Sequence, residues 1–356
     1  MKTLLAAVGA TLLMAAPAAH ASIKTDADKL VDTGVTGTIV YARDGAHTTR
    51  VAAGYGDTAT RTRMRTTDRW RVGSVTKAFT ATVVLQLAAE GRLSLDDTVE
   101  QHLPGLVPGG DQITIRELLN MSSGLADYLT EDMTIRDSIG TGRLFTPREL
   151  VGFGLAHPVH FAPGHGWFYS NTGYALAGMI VEQVTGHPFA AELHQRVLVP
   201  AGLRHTSFPS GPRIAGPHAH GYLDGRDVTE LHQTWSWTAG AIVSTGDDIA
   251  RFYRALLGGR LMPPAQLADM KTLNPVDGPF GPGTVTGYGL GIFRLKLPCG
   301  ETWGHEGGSP GYKTFTLHSQ DAKRQVVVMV NQDEEHLTPA QEKAFNRLIT
   351  TAYCGR

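Results

Sequence analysis

The chain has few cysteines and no surplus of charge of either sign. Its 356 residues include two cysteines, and 32 basic residues face 33 acidic ones, so the formal net charge is -1. A protein that binds nucleic acid or an anionic membrane typically carries a basic surplus, so neither partner is expected here. The sequence also shows no internal repeat and no low-complexity linker.

Long hydrophobic runs are missing as well. The apolar run at 4–14 is shorter than the roughly 20 residues that a membrane-spanning helix needs, and no later run is longer. Lys2 before this run and the small residues Ala19 and Ala21 after it are typical of a signal peptide, so residues 1–21 are predicted to be removed. We therefore expect an exported protein, periplasmic or secreted, with no permanent membrane anchor.

The two cysteines, Cys299 and Cys354, both remain after signal-peptide removal. In an oxidising compartment one disulfide is the simplest interpretation, and two buried free thiols are the alternative. The bond would tie the C-terminal end of the chain to the predicted sheet and stabilise the fold by about 3–4 kcal/mol.

Strand patterns occur near both ends of the chain, and helical patterns lie between them. Two strands joined by Asp44 and Gly45 predict a hairpin, because Asp-Gly favours a tight turn. Further strands are predicted at 288–297, 313–318 and 325–331, and a last helix at 339–352. This order predicts an α/β (α+β) fold whose sheet is built from both chain ends. The predicted domains are a sheet domain of residues 22–95 and 236–356, and an inserted, mostly helical domain of residues 96–235.

Ser74 and Lys77 stand at the start of a predicted helix that ends at Gly91. Positions three apart share a helix face, so the amine can reach the hydroxyl. Serine is a weak nucleophile that needs a base, and lysine serves as one only when burial or a neighbouring charge lowers its pKa. Taken alone, the pair also fits a helix cap followed by a surface lysine.

Tyr169 and Asn171 lie in a predicted loop before the helix expected at 174–185. A phenol and an amide presented together suit a proton relay and a carbonyl-binding group, provided that a nearby positive charge such as Lys77 lowers the pKa of the phenol. The alternative is a tyrosine packed on the core beside an asparagine cap.

His305 is followed by Glu306, Gly307 and Gly308 in a glycine-rich stretch beside a predicted strand. Glycines at such a place indicate close approach of a ligand to the backbone. The amides of Ser74 and Gly308 are candidates for an oxyanion hole. The alternative for His305 is a turn histidine without a catalytic role.

The three motifs, Ser-x-x-Lys, Tyr-x-Asn and His-x-Gly, occur in this order along nearly the whole mature chain. Together they resemble the signatures of the penicillin-recognising serine hydrolases, the family of the serine β-lactamases and DD-peptidases. The stretches 72–77, 121–125, 169–172 and 288–291 are most similar to those of secreted, soluble D-Ala-D-Ala carboxypeptidases. The resemblance implies an antiparallel sheet with flanking helices beside an all-helical domain, and a disulfide between the two cysteines.

The resemblance also implies roles for the motif residues. Ser74 would be the nucleophile, and Lys77 and Tyr169 the pair that transfers protons. Asn171 would bind the substrate amide, and His305 would stand where most of the family carries a lysine on an edge strand. No cofactor or metal is implied.

The carboxypeptidase pattern is incomplete in this chain. Positions that carry hydroxyls in that pattern are Glu306 and Gly308, and its arginine position falls on Phe293, next to Arg294. Since neighbouring strand residues point to opposite faces, Arg294 is not expected in the cleft. We predict a serine hydrolase that acts through an acyl-enzyme, most similar to a D-Ala-D-Ala carboxypeptidase acting on cell-wall peptides, with an esterase, a D-aminopeptidase or a β-lactamase as alternatives. A non-catalytic penicillin-binding module is a further alternative.

Two other groups of residues bear on the site. Trp237 is a candidate for the substrate cleft, although a core position fits it equally well. His157, His160 and His165 lack the spacing of a metal site, so no zinc is expected. The expected partners are small peptide, ester or β-lactam substrates, and the chain is expected to act as a monomer.

Overall fold

The computed structural model describes residues 15–276, 278–332 and 337–355. Most of the predicted signal peptide falls on residues 1–14, outside the described residues, and its removal stays a prediction. The first described element, α1 (Ala15–Asp32), runs across the predicted cleavage site. No helix in the described part of the chain has the length and apolar character needed to cross a membrane.

The described residues form thirteen strands, nine of them in one sheet. The strands are β1 (Gly37–Asp44), β2 (His47–Asp57), β3 (Thr62–Arg63), β4 (Trp70–Arg71), β5 (Tyr222–Leu223), β6 (Arg226–Asp227), β7 (Val243–Ser244), β8 (Gly278–Phe280), β9 (Gly283–Tyr288), β10 (Phe293–Leu297), β11 (Gly300–Ser309), β12 (Tyr312–His318) and β13 (Arg324–Val330). The large sheet has the order β3-β2-β1-β13-β12-β11-β10-β9-β8, and every neighbouring pair is antiparallel. The predicted antiparallel sheet built from both chain ends is therefore confirmed.

Most of the helices lie between the two groups of sheet strands. After α1 they are α2 (Thr76–Ala89), α3 (Val99–His102), α4 (Ile115–Leu119), α5 (Met133–Ser138), α6 (Pro147–Leu155), α7 (Asn171–Thr185), α8 (Phe189–Leu193), α9 (Val199–Ala201), α10 (Trp237–Gly240), α11 (Gly246–Leu257), α12 (Pro264–Lys271) and α13 (Pro339–Cys354). Threonine caps with a matching Glu or Gln three residues later begin α3, α4, α6 and α13, so these helices start where the sequence supplies a capping box.

Helices cover both faces of the sheet. Every residue of β12 is buried, and so is every residue of β13 after its first. Since successive side chains of a strand point to opposite faces, this continuous burial requires cover on both sides. Helix α2 is buried around most of its circumference and packs against α7, α10 and α12, which places its first turn in the middle of the molecule.

One predicted strand is two strands in the structure. Residues 288–297 were expected to be continuous, but β9 ends at Tyr288 and β10 begins at Phe293. Gly291 between them has φ = +75°, a conformation that suits glycine and reverses the chain. The turn could not be predicted from the apolar residues around it, because a buried turn need not contain polar residues.

The two cysteines form the predicted disulfide. Cys299 follows β10, Cys354 ends α13, and their Cα atoms are 5.7 Å apart. The bond joins the last helix to the sheet, as predicted from the sequence.

Candidate active site

Ser74 lies in a short 3₁₀ turn, Gly73–Val75, that leads into α2. The alternative interpretation of Ser74 as a helix cap does not hold, because neither this turn nor α2 has a side-chain cap. The Ser74 hydroxyl instead lies 3.0 Å from Lys77 Nζ. The serine oxygen is therefore available for chemistry because the helix start does not use it.

Lys77 is completely buried and points at three oxygen atoms. Its Nζ lies 3.0 Å from Ser74 Oγ, 2.7 Å from Asn171 Oδ1 and 3.0 Å from the Ala239 carbonyl. The amine also sits over the Tyr169 ring, 4.7 Å from its centroid. The spacing of three on α2 thus brings the amine to the hydroxyl, as the sequence predicted.

Tyr169 completes the group around Ser74. A hydrogen bond joins the two side chains and lowers the pKa of the phenol, but burial has the larger effect and raises that pKa well above 10. The nearby Tyr288, Asp127 and Glu306 raise it further. A pKa lowered by a nearby positive charge, the condition set for an easy proton relay, is therefore not met, and Tyr169 is a neutral phenol at neutral pH.

Asn171 holds Lys77 on one side and Asp127 on the other. Its Oδ1 faces Lys77 Nζ, and its Nδ2 donates to Asp127 Oδ1 and Oδ2 at 3.0 and 3.2 Å. The side chain is buried. In this structure the amide therefore contacts catalytic candidates, and its predicted role in binding the substrate amide stays a prediction.

Strand β11 approaches Ser74 closely, and glycines make the approach possible. A Cβ on Gly307 would lie 2.0 Å from the Val72 carbonyl oxygen and 2.9 Å from Ser74 N, and one on Gly73 would lie 2.2 Å from the Gly308 carbonyl oxygen. Gly73 also has φ = +55°. These contacts bring the backbone of Gly308 beside that of Ser74, where an oxyanion hole was predicted.

His305 is buried beside Tyr288. Tyr288 Oη lies 2.8 Å from Nε2, while Nδ1 contacts the carbonyl of Glu306. Burial lowers the pKa of His305 to about 3, with a further contribution from Lys77. The imidazole is therefore neutral and does not replace the charge of a lysine.

The strand that carries His305 was expected at the edge of the sheet, but β11 lies between β10 and β12. Its pairing with β10 stops at Gly304, opposite Phe293. Residues 305–309 pair with β12 alone, so this half of an interior strand borders the cleft.

The cleft above Ser74 has a volume of about 440 Å³ and mostly apolar walls. Its described lining residues are Ser74, Trp167, Tyr169, Val276, Gly278, Phe280, Val285, Tyr288, Phe293, His305, Glu306, Gly307 and Gly308. Arg294 points away and donates from Nε to Thr286 Oγ1 at 2.9 Å, as strand alternation predicted. Among these described residues, Glu306 is the charged side chain of the lining.

Trp237 is not among the described residues that line this cleft. Its ring packs near Phe189, with 6.3 Å between ring centroids, and against α7 at Gly178. The role of Trp237 in the substrate cleft, for which a core position was the alternative, therefore stays a prediction. Trp167, which no sequence motif indicated, lines the cleft.

The three histidines that were considered as metal ligands do not form one group. His160 Nε2 lies 2.9 Å from Glu131, and His157 Nε2 lies 3.6 Å from Asp132. The described residues contain no cluster of three or more His, Cys, Asp or Glu able to hold a metal ion.

Comparison with known proteins identifies the family. The family model Beta-lactamase matches residues 25–350. A D-stereospecific amidohydrolase from Streptomyces is 37% identical, with a TM-score of 0.84 over 95% of this chain and 99% of that chain. D-amino acid amidase from Ochrobactrum anthropi is 28% identical, with a TM-score of 0.83 over the same shares.

A bacterial relative of known name supports the same family assignment. Penicillin-binding protein 4* of Bacillus subtilis is 28% identical over 319 residues, which are 84% of this chain and 68% of that protein. The family model covers most of the chain, and the solved relatives share its fold from end to end. The protein is a serine hydrolase that belongs to the beta-lactamase family.

Proposed function

We propose that this enzyme hydrolyses amides of D-amino acids that carry a free amino group, as a D-amino-acid amidase or aminopeptidase. One observation carries the proposal: the described lining of the cleft combines the carboxylate of Glu306 with a neutral His305 and contains no lysine or arginine. Such a cleft suits a substrate with an ammonium group and without a carboxylate beside the scissile bond. The amidohydrolase and the amidase among the structural relatives support this choice.

The apolar wall gives the substrate side chain a place. Trp167, Phe280 and Phe293 line the same cleft as Ser74, together with two valines. Burial of an aromatic or branched side chain there contributes roughly 1.5–3 kcal/mol of binding free energy. The substrate ammonium would lie near Glu306 and its side chain on this wall. With these two groups fixed, only one configuration at Cα directs the scissile carbonyl to Ser74. We expect this to be the D configuration.

Acylation begins with the transfer of the Ser74 proton. The carbonyl oxygens of Asn171 and Ala239 can only accept, so they take N–H bonds from Lys77. The Ser74 hydroxyl can donate, and in the reactive form it donates to the lone pair of Lys77. Ser74 Oγ then attacks the amide carbonyl, and the oxyanion is held by the backbone N–H groups of Ser74 and Gly308.

Tyr169 protonates the leaving group. Its high pKa keeps it a phenol, so it can donate its proton to the departing amine, while Lys77 keeps the proton that Ser74 gave up. The C–N bond breaks and leaves the amino acid esterified to Ser74. Water then hydrolyses the ester by the reverse proton transfers, releasing the D-amino acid and restoring the hydroxyl.

The carboxypeptidase activity predicted from the sequence fits this cleft less well. A D-Ala-D-Ala peptide has a C-terminal carboxylate that needs a positive partner, and Arg294 is bound to Thr286 on the other face of β10. Glu306 would repel such a carboxylate.

A substrate panel tests the proposal. Purified enzyme is given D-phenylalanine amide, L-phenylalanine amide, N-acetyl-D-phenylalanine amide, a diacetylated Lys-D-Ala-D-Ala peptide and benzylpenicillin, with Ser74→Ala as the control. We expect the highest kcat/KM for D-phenylalanine amide, and no turnover by the Ser74→Ala variant. A preference for the D-Ala-D-Ala peptide or for penicillin would refute the proposal.

A further inference from the structure

Asp127 is a buried carboxylate close to the reactive serine and lysine, and no motif pointed to it. Its side chain is 1% exposed, and it lies in the loop before α5. Oδ1 accepts from the backbone N–H of Asn171 at 2.9 Å, and Oδ2 accepts from Thr130 Oγ1 at 3.0 Å. Both oxygens also face Asn171 Nδ2, at 3.0 and 3.2 Å.

This carboxylate determines which way the Asn171 amide points. A carboxylate accepts hydrogen bonds and has none to donate, so the end of the amide that faces Asp127 must be Nδ2. The other end, Oδ1, is then directed at Lys77 Nζ, 2.7 Å away. With a neutral residue at position 127, the Asn171 amide could rotate by half a turn. Its Nδ2 would then face Lys77 Nζ, and two hydrogen-bond donors would oppose each other.

We propose that Asp127 is a positioning residue of the acylation step: it locks the Asn171 amide so that an acceptor holds Lys77 against Ser74. Asp127 touches neither the substrate nor Ser74 and acts through Asn171. The proposal rests on the proposed role of Lys77 as the base for Ser74, and it is independent of which substrate the cleft accepts. The charge of Asp127 also raises the pKa of Tyr169, which agrees with a phenol that keeps its proton.

The test measures the reactivity of Ser74 with a fluorophosphonate probe, in which the serine oxygen displaces fluoride from phosphorus. The first-order labelling rate constant, followed by intact-protein mass spectrometry across pH 5–10, does not depend on the fraction of enzyme that is folded. For Asp127→Asn we expect a roughly 10- to 100-fold lower rate constant, since acid–base catalysis typically contributes 10²–10⁴-fold. We also expect the acid limb of the profile to move to lower pH, because the loss of a nearby negative charge and of the oriented acceptor destabilises the ammonium form of Lys77.

Two control variants separate positioning from structure. Thr130→Val removes another hydrogen bond of Asp127 and leaves Asn171 in place, so its rate constant should stay within about threefold of the wild type. Asp248 is a buried carboxylate elsewhere in the fold, in α11, that accepts from His205 N and Thr206 Oγ1 at 2.7 and 3.0 Å. Asp248→Asn should lower the melting temperature without changing the labelling rate constant.

Exchanging the two side chains provides a rescue. In the double variant Asp127→Asn/Asn171→Asp, the new amide donates to the new carboxylate, and an acceptor again faces Lys77. We expect faster labelling than in Asp127→Asn, with the acid limb at higher pH, because a carboxylate beside Lys77 stabilises its ammonium form. If Asp127→Asn does not fold, the proposal is tested by the shift of the acid limb in the double variant.

Rate constants and pH profiles of Asp127→Asn equal to those of the wild type would overturn the proposal, as would a double variant whose acid limb does not move. A wild-type enzyme that is labelled on Ser74 but does not cleave D-amino-acid amides would refute the proposed substrate alone. A wild-type enzyme that the probe does not label would overturn both.

Discussion

The hydroxyl of Tyr288 lies 2.8 Å from Nε2 of His305 and fixes the tautomer of the imidazole. The other ring nitrogen, Nδ1, contacts the carbonyl of Glu306, which can only accept. Nδ1 therefore carries the hydrogen, and Tyr288 donates to Nε2. Both nitrogens are used within the protein, so His305 supplies neither a charge nor a free proton to the cleft.

This environment makes stability depend on pH. His305 has a pKa of about 3 in the folded protein and an ordinary value near 6.5 when unfolded. Between these values the unfolded chain binds more protons, so the stability that His305 provides is present above pH 6.5 and is lost as the pH falls toward 3. Urea denaturation at pH 7 and pH 5 should show a smaller loss of unfolding free energy for His305→Gln than for the wild type. Equal losses would show that His305 is not held neutral.

Removal of the Lys77 amine should abolish most of the activity. Lys77→Met keeps an unbranched side chain in the same buried space and removes the base, so kcat/KM for D-phenylalanine amide should fall roughly 10²- to 10⁴-fold. Lys271→Met is the control, because Lys271 is a partly buried lysine that lies over Trp303, away from Ser74. A Lys77→Met enzyme with near-normal kcat/KM, and a circular dichroism spectrum like the wild type, would remove Lys77 from the mechanism.

Gly307 should tolerate no side chain. Its added Cβ would meet the Val72 carbonyl oxygen at 2.0 Å and Ser74 N at 2.9 Å, so Gly307→Ala must push β11 away from the serine. We expect a loss of at least about 10²-fold in kcat, the order of losing an oxyanion donor. A Cβ added to Gly152 in α6 would lie in open space, so Gly152→Ala should keep full activity and raise the melting temperature. Full activity in Gly307→Ala would argue against the close approach.

Glu306 should determine the preference for a free amino group. Glu306→Gln removes the charge that pairs with the substrate ammonium, which typically contributes about 1.5–3 kcal/mol, so kcat/KM for D-phenylalanine amide should fall about 10- to 100-fold. The activity toward N-acetyl-D-phenylalanine amide, which has no ammonium, should be unchanged or higher. An equal loss for both substrates would assign Glu306 a structural role.

The parts of the site that could be predicted from the sequence depend on local spacing. Ser74 and Lys77 meet because residues three apart lie on the same face of a helix. The glycines after His305 indicated a close backbone contact, which the structure contains. The sheet could be predicted because strand patterns cluster at both chain ends, and its antiparallel pairing followed from the family resemblance.

Asp127, Tyr288 and Trp167 could not be found in this way. Asp127 reaches Asn171 across 44 residues of chain, and Tyr288 at the end of β9 reaches His305 on β11, two strands away in the sheet. Such contacts are set by how the elements pack, and a single aspartate or tyrosine in a loop or strand carries no periodic signal.

The central claim is that Ser74 becomes covalently acylated during turnover. It is tested most directly by acid-quenching the enzyme during hydrolysis of D-phenylalanine methyl ester, followed by proteolysis and mass spectrometry. The account predicts a phenylalanyl ester on the peptide that contains Ser74, and neither adduct nor turnover in Ser74→Ala. Turnover that persists in Ser74→Ala, or an acyl group found on another residue, would contradict it.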